Sequence, residues 1–438
     1  MRRFLFLILV LGTGQARGQQ PAPAQQPDTA APLEVTLGEA VRRALDAQPA
    51  MIQARGAQRN AGATQRSAFG AFLPSLTLSG GSAHASGNRF NSATNQIVSG
   101  PSSTSYTGGL SANLILFDGF ARIANSNAAS ASAAAADAGY VNERFLVTLS
   151  TKQAFYATLS TADLLTVAQA NTRQAQQQFD IAVQKLHAGS ATRSDSLRSV
   201  VALGNAHIAE LEAQAAVSSA QAALGRQIGV NRPVRAVPDS TLAPFPDTAA
   251  LQQSAINQAP AVAQADAQAR TAHSLVTVAR AQYFPTFSAG YSNGYTGFEA
   301  PWNSTGSYVN NWSLRFSVSL PIFNGFTREQ QLVSASVDRD VAEAVSADTR
   351  RSVSQQLVQL VAALQTAYEQ IAISGTNVDA ATEDLRVQQE RYRVGASTIL
   401  DLLTSEASLT LARTTLVVAR FNYNIARAQL EALVGRTL

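Results

Sequence analysis

One short phrase occurs twice in this chain, as Leu116-Phe117-Asp118-Gly119-Phe120 and as Ile322-Phe323-Asn324-Gly325-Phe326, 206 positions apart. Each copy ends a run of alternating apolar and polar residues and opens a long Pro-free segment rich in Ala, Ser and Gln. A period of two that gives way to a helical pattern across a Gly marks a strand-to-helix corner. The glycine supplies backbone freedom, and the flanking aromatics (Phe117 and Phe120, Phe323 and Phe326) are expected to pack one on each side of it. Gly189 and Gly395, Asp195 and Asp401, and Gly229 and Gly435 match at the same offset of 206, while Pro49 and Pro260, and Pro74 and Pro285, match at 211. The difference of five falls between Pro74 and Phe117, where a hairpin loop absorbs added length. The chain therefore reads as a tandem duplication, with repeat 1 over 37–228, a linker without regular structure over 229–247, and repeat 2 over 248–438.

Within each repeat the alternation predicts a strand pair, at about 76–116 and about 286–320. In the second pair Trp312, Leu314, Phe316, Val318 and Leu320 alternate with Ser313, Arg315, Ser317 and Ser319. In the first, Leu110, Ala112, Leu114 and Leu116 alternate with Gly109, Ser111 and Asn113. Strands of about 11 residues with one apolar face have the length of tilted membrane strands. Tyr291, Tyr308 and Trp312 are the expected interfacial girdle. Four strands are too few to close a barrel, and lipid does not tolerate open edges, so several copies must close it together. After each corner, residues 121–187 and 327–394 are predicted as helices of about 100 Å. Val353, Leu357, Leu360, Leu364, Tyr368 and Ile371 step by four and three, the spacing of a coiled coil. Each long helix turns at Gly189 or Gly395 and returns, completing helical hairpins over 121–228 and 327–434. The returns are shorter than the outbound helices. The segments before the strands, 37–68 and 248–282, have about the missing length, and the sequence leaves open which of them completes which column.

Residues 1–18 have the form of an export signal: Arg2 and Arg3, an apolar run from Phe4 to Leu11, then Ala16-Arg17-Gly18. Residues 19–36 read as a flexible leader. Cleavage would remove Arg2, Arg3 and Arg17 and lower the net charge from +4 to +1, so the basic balance implies no nucleic-acid partner. There is no Cys, which excludes disulfides and thiol catalysis. The four His make no ligand spacing, no phosphate-cradling glycine loop occurs, and neither an enzyme nor a cofactor or metal is expected.

The ordered set of signal, repeats, strand pairs, corner phrases and the turns Leu186-His187-Ala188-Gly189-Ser190 and Tyr392-Arg393-Val394-Gly395-Ala396 resembles the TolC-like outer membrane efflux proteins. The resemblance implies a mixed α and β membrane protein. Three copies would form a twelve-stranded barrel in outer membrane lipid, continued by an α-helical barrel into the periplasm. It implies a passive, gated duct of a tripartite efflux or type I secretion system, with a periplasmic adaptor docking at the Gly189 and Gly395 turns and an inner-membrane pump of RND or ABC type. Asp401 matches an entrance carboxylate, Asp195 a carboxylate that helps latch the pore, and Tyr392 a gate-holding aromatic. Ser397 and Thr404 stand where the family has its gate arginine and second entrance acid, and Arg193 is the cation expected to substitute. The other reading is a structural or adhesive surface protein with a helical stalk and no transport. A stalk has no need of two turns at one end with an acid just inside each.

Overall fold

The computed structural model describes residues 32–93, 95–99, 102–238, 244–247, 256, 258–303 and 307–438. The expected export signal and most of the leader lie outside them. The described chain runs β1 (Leu33–Val35), α1 (Leu37–Ala47), α2 (Pro49–Gly70), β2 (Ser75–Ala85), β3 (Asn88–Asn91), β4 (Gln96–Ser99), β5 (Ser103–Asp118), α3 (Ala121–His187) and α4 (Arg193–Gln227). It continues with β6 (Val234–Ala236), α5 (Pro260–Ala281), β7 (Thr286–Gly297), β8 (Tyr308–Ser319), α6 (Thr327–Arg393) and α7 (Ile399–Val434).

Strands β2, β5, β7 and β8 form one antiparallel sheet in the order β2-β5-β7-β8. Directly opposed residues share a face. The register pairs Leu78 with Leu110, Ala112 with Tyr291, Tyr291 with Leu314 and Phe287 with Val318, so one apolar face runs unbroken across all four strands. On the other face Ser288 and Ser317 hydroxyls meet at 2.7 Å, and those of Ser292 and Ser313 at 2.9 Å. The alternation expected for Leu116 ends sooner than the sequence suggests. A bulge falls between Ile115 and Phe117, which removes Leu116 from the ladder and lets Phe117 oppose Phe287. Tyr291 sits mid-strand, opposite Leu314, whereas Tyr308 opposes Gly297 at the far end. Aromatics gather at that far end instead, where the Tyr106 and Trp302 rings lie 6.1 Å apart.

Helices α3 and α6 are each 67 residues long and uninterrupted. The first half of α3 buries Ala124, Ala128 and Ala129, small side chains that let α2 and α5 approach closely. Its second half packs against α4 and α7. The open question of the columns is resolved by contacts at helix ends. Gln48 caps the start of α2 and donates to the carbonyl of Gln227, the last residue of α4. A Cβ on Gly435, just past α7, would lie 2.6 Å from Pro260 Cγ at the start of α5. So α4 continues end to end into α2, and α7 into α5. Helices of 35 and 22 residues, and of 36 and 22, roughly match one of 67.

Two expectations are corrected. The last residues of the leader and part of the 229–247 linker are ordered: β1 and β6 pair in parallel, with Val35, Val234 and Ala236 buried in a cluster that includes Met51, Phe155 and Leu224. Three-residue strands are too short for an alternation to be legible. The loop between the first two long strands also contains the β3–β4 hairpin. The main apolar seam of the second hairpin joins Leu357, Leu364 and Ala367 to Tyr423, Ala426 and Leu430. Of the expected row on α6 it keeps Leu357 and Leu364, with Leu360 and Ile371 partly buried beside it, while Ala367 is buried in place of the exposed Tyr368.

Candidate functional site: corners and helical tips

At each corner two consecutive residues adopt the left-handed conformation. Gly119 and Phe120 have φ +66° and +68°, and Gly325 and Phe326 have φ +67° and +63°. The sequence placed this conformation on glycine alone. Its effect is that the aromatics meet each other rather than flank the glycine: Phe117 on Phe120 and Phe323 on Phe326, edge to face with centroids 5.4 Å apart in both. Each helix start is then capped by the polar residue of the corner phrase. Asp118 Oδ2 accepts from Arg122 N and Arg122 Nε, both at 3.1 Å, and Asn324 Oδ1 accepts from Arg328 N at 3.5 Å. Arg122 also donates to Leu116 O at 3.1 Å and stacks over Phe72 at 5.1 Å. Arg328 donates to Pro321 O and Ile322 O and lies 4.8 Å over Tyr283. These arginines were missed in the sequence, although they share the 206-residue offset.

At the opposite end both helical turns are built alike. Gly189 and Gly395 have φ +72° and +81°. Ser190 N donates to Lys185 O and Gly189 N to Leu186 O; Ala396 N donates to Arg391 O and Gly395 N to Tyr392 O. The returning helix begins in a capping box. Thr192 Oγ1 accepts from Asp195 N at 3.2 Å while Asp195 Oδ2 accepts from Thr192 N at 3.0 Å. Thr398 and Asp401 repeat both bonds at 3.2 and 3.0 Å. These hydrogen bonds favour the ionised carboxylates. The Thr192 hydroxyl chiefly holds the Asp195 carboxyl below its ordinary value, and the Thr398 backbone N–H chiefly does so for Asp401.

The tips meet through Tyr392, which is buried among Leu385, Ile399, Leu402 and Leu409. Lys185 of the first hairpin lies 4.0 Å over its ring and donates to its backbone carbonyl. Burial, and secondarily the Asp195 charge, push the Tyr392 hydroxyl up. That hydroxyl is buried and has no hydrogen-bond partner within the described chain. The Asp195 charge thus acts on Tyr392, and the cation over its ring is Lys185. Arg193 is exposed at the first position of α4, and Asp401 is engaged with Thr398. The signal for Lys185 was Arg391, its counterpart at the same offset. Among the described residues no group of His, Asp or Glu is arranged to hold a metal, and no helix is long and apolar enough to cross a membrane.

The family model of the outer membrane efflux protein matches residues 40–230 and again 251–436, once for each repeat. The probable efflux pump outer membrane protein TtgC of Pseudomonas putida is 24 % identical over 187 residues, covering 43 % of this chain and 38 % of that protein. The match thus spans about two fifths of that relative's length. The Campylobacter jejuni CmeC outer membrane channel superposes with a TM-score of 0.79 at 17 % identity, covering 91 % of this chain and 85 % of its own. The outer membrane protein VceC of Vibrio cholerae does so at 0.77 and 19 % identity, covering 92 % and 96 %. An adhesive stalk finds no support among these similarities.

Proposed function

Since this chain belongs to the outer membrane efflux protein family, we propose that it is the outer membrane channel of a tripartite efflux or type I secretion system, a passive gated duct and not an enzyme. Three copies close into a ring. The sheets form a twelve-stranded barrel in lipid, four strands from each copy, and the helices continue it into the periplasm. An adaptor docks around the Gly189 and Gly395 turns, and an inner-membrane pump delivers substrate. Asp195, Tyr392 and Lys185 hold the tips together, and Asp401 places a carboxylate at the entrance.

The observation that carries this reading is a shared pattern of unfinished edges. The sheet ends at β2 and β8. The helical layer ends at the α4–α2 column on one side and at α6 on the other. An open edge in lipid leaves backbone groups unpaired, at several kcal/mol each. The internal repeat says what completes it. In the first corner Phe117 packs on Phe287 at 5.9 Å, and a Cβ on Gly119 would lie 2.5 Å from Ala281 O and 2.7 Å from Phe284 Cβ. The counterparts of Phe287, Ala281 and Phe284, at the 211 offset, are Leu76, Gly70 and Leu73 on the opposite edge. In the second corner Phe323 is 72 % exposed, Leu76 is 70 % exposed, and a Cβ on Gly325 would meet nothing within 4 Å. One copy's second corner fits the next copy's first hairpin, a head-to-tail contact that closes as a ring.

The test is oligomer mass in detergent together with single-channel conductance in a planar bilayer. A trimer with a small, cation-selective, mostly closed conductance is expected. A monomer, or a trimer silent at every voltage, overturns the reading.

A further inference from the structure

Neighbouring helices meet through seams of different chemistry. Within the second hairpin, α6 and α7 close over Leu385, Leu402 and Leu409. Between the hairpins, where α3 meets α7, polar side chains face each other. Thr410 Oγ1 lies 3.2 Å from Asn171 Oδ1, and Gln174 Nε2 donates to Glu406 Oε1 at 3.4 Å. Asn171, Gln174, Gln178 and Lys185 step by three, four and seven along one face of α3, and Glu406 and Thr410 by four on α7. Glu406 is 7 % exposed and Gln178 5 %. Gln178 Oε1 is a buried acceptor with no donor within the described chain.

We propose that Glu406 sets how tightly the two hairpins of one copy adhere, and so whether the tips open. Neutral, it accepts from Gln174 and carries no charge that needs hydration, and the seam is sealed. Ionised, it is a buried charge answered only by amides, and parting the hairpins to hydrate it becomes favourable. The inference rests on the channel reading.

Burial raises the Glu406 carboxyl to about 7, against the opposing pull of the Gln174 and Gln178 amides. The charged groups on the packed elements are engaged elsewhere. On α3, Lys185 lies over Tyr392, Asp180 accepts from Gln176, and Arg173 is exposed. On α6, Asp384 accepts from Ser405, and Glu390 pairs with Arg393. On α7 itself, Asp401 lies in its capping box. An opened, hydrated seam returns the carboxyl toward its ordinary 4.5. A carboxyl with the higher pKa in the closed state favours closure at low pH, and that preference is lost as pH rises through about 7. Between about 4.5 and about 7 the open-to-closed ratio climbs by up to about tenfold per pH unit for each copy, and above 7 it levels off because the carboxyl is then ionised in both states.

The test measures conductance of the purified protein in planar bilayers between about pH 5 and pH 9, alongside thermal unfolding, for wild type, Glu406→Gln and Gln178→Leu. Expected are wild-type openings that grow more frequent as pH rises toward 7 and level off above it, a flat and mostly closed response for Glu406→Gln, and a response extending to higher pH for Gln178→Leu, which removes an amide that favours the ionised carboxyl. The Glu406→Gln protein should melt with wild type at acid pH and above it at alkaline pH. Wild-type conductance indifferent to pH, or a Glu406→Gln response with the wild-type midpoint, overturns the inference and leaves the channel reading standing. Absence of conductance in all three proteins at every pH removes the channel reading and the inference with it.

Discussion

Phe120 and Phe326 hold a left-handed conformation that costs residues with side chains on the order of 1 kcal/mol each, and the cost is met locally. The edge-to-face partner ring, the Asp118 or Asn324 cap and the arginine clamp all require that reversal of the chain. Arg122→Ala should therefore lower stability by about 2 kcal/mol, the worth of a charged hydrogen-bond set whose acceptors are left behind. Thermal unfolding checks this, and Arg328→Ala should behave alike. At the tips, Asp401→Ala should weaken block by trivalent cations in single-channel recordings. Thr398→Ala should leave that block unchanged while costing the helix about 1 kcal/mol, because it removes the cap and keeps the charge. Unchanged block in Asp401→Ala would mean that Asp401 does not line the entrance. Both capping-box carboxylates have depressed pKa values, so the boxes are intact at neutral pH and are lost only as pH falls below the ordinary carboxylate range.

Elements differ in how plainly they are written in the sequence. The 67-residue helices and the four long strands were legible because their periods persist long enough to exclude the alternatives. The sheet makes its own prediction: a charge at Phe316, which lies on the continuous apolar face opposite Ala289, should reduce trimer yield on a native gel. Normal yield from Phe316→Lys would reverse the assigned faces. The bulge at Leu116, the β1–β6 pair and the roles of Arg122, Lys185 and Glu406 were not legible. Each depends on what a distant segment brings alongside: Phe287 for the bulge, Val234 for β1, Tyr392 for Lys185, Gln174 for Glu406. The order of the spliced columns was similarly hidden, although Gly435 and Pro260, which meet at one splice, were both marked by the repeat. Gly435→Val should put side-chain carbon into the Pro260 ring and strain φ +73°, lowering the melting temperature by several degrees.

For the whole molecule, the repeat turns an internal similarity into a statement about assembly. Gly119 and Gly325 are equivalent corners, but only Gly119 has a neighbour inside the chain. If the ring closes as proposed, Gly119→Ala and Gly325→Ala should reduce trimer yield to a similar extent, since each would then press a Cβ against the end of an adjoining helix. A large loss for Gly119→Ala with none for Gly325→Ala would place the second corner outside the interface. The spliced columns carry one further consequence, and it is mechanical. Around the wall, unbroken rods alternate with jointed ones. A load applied at the tips passes up α3 and α6 without interruption to the corners clamped by Arg122 and Arg328. In the proposed ring the joints at Gln48–Gln227 and Gly435–Pro260, the first beside the buried cluster of β1 and β6, would act as expansion gaps. The helical part of such a ring would twist there without wrenching the sheet above it.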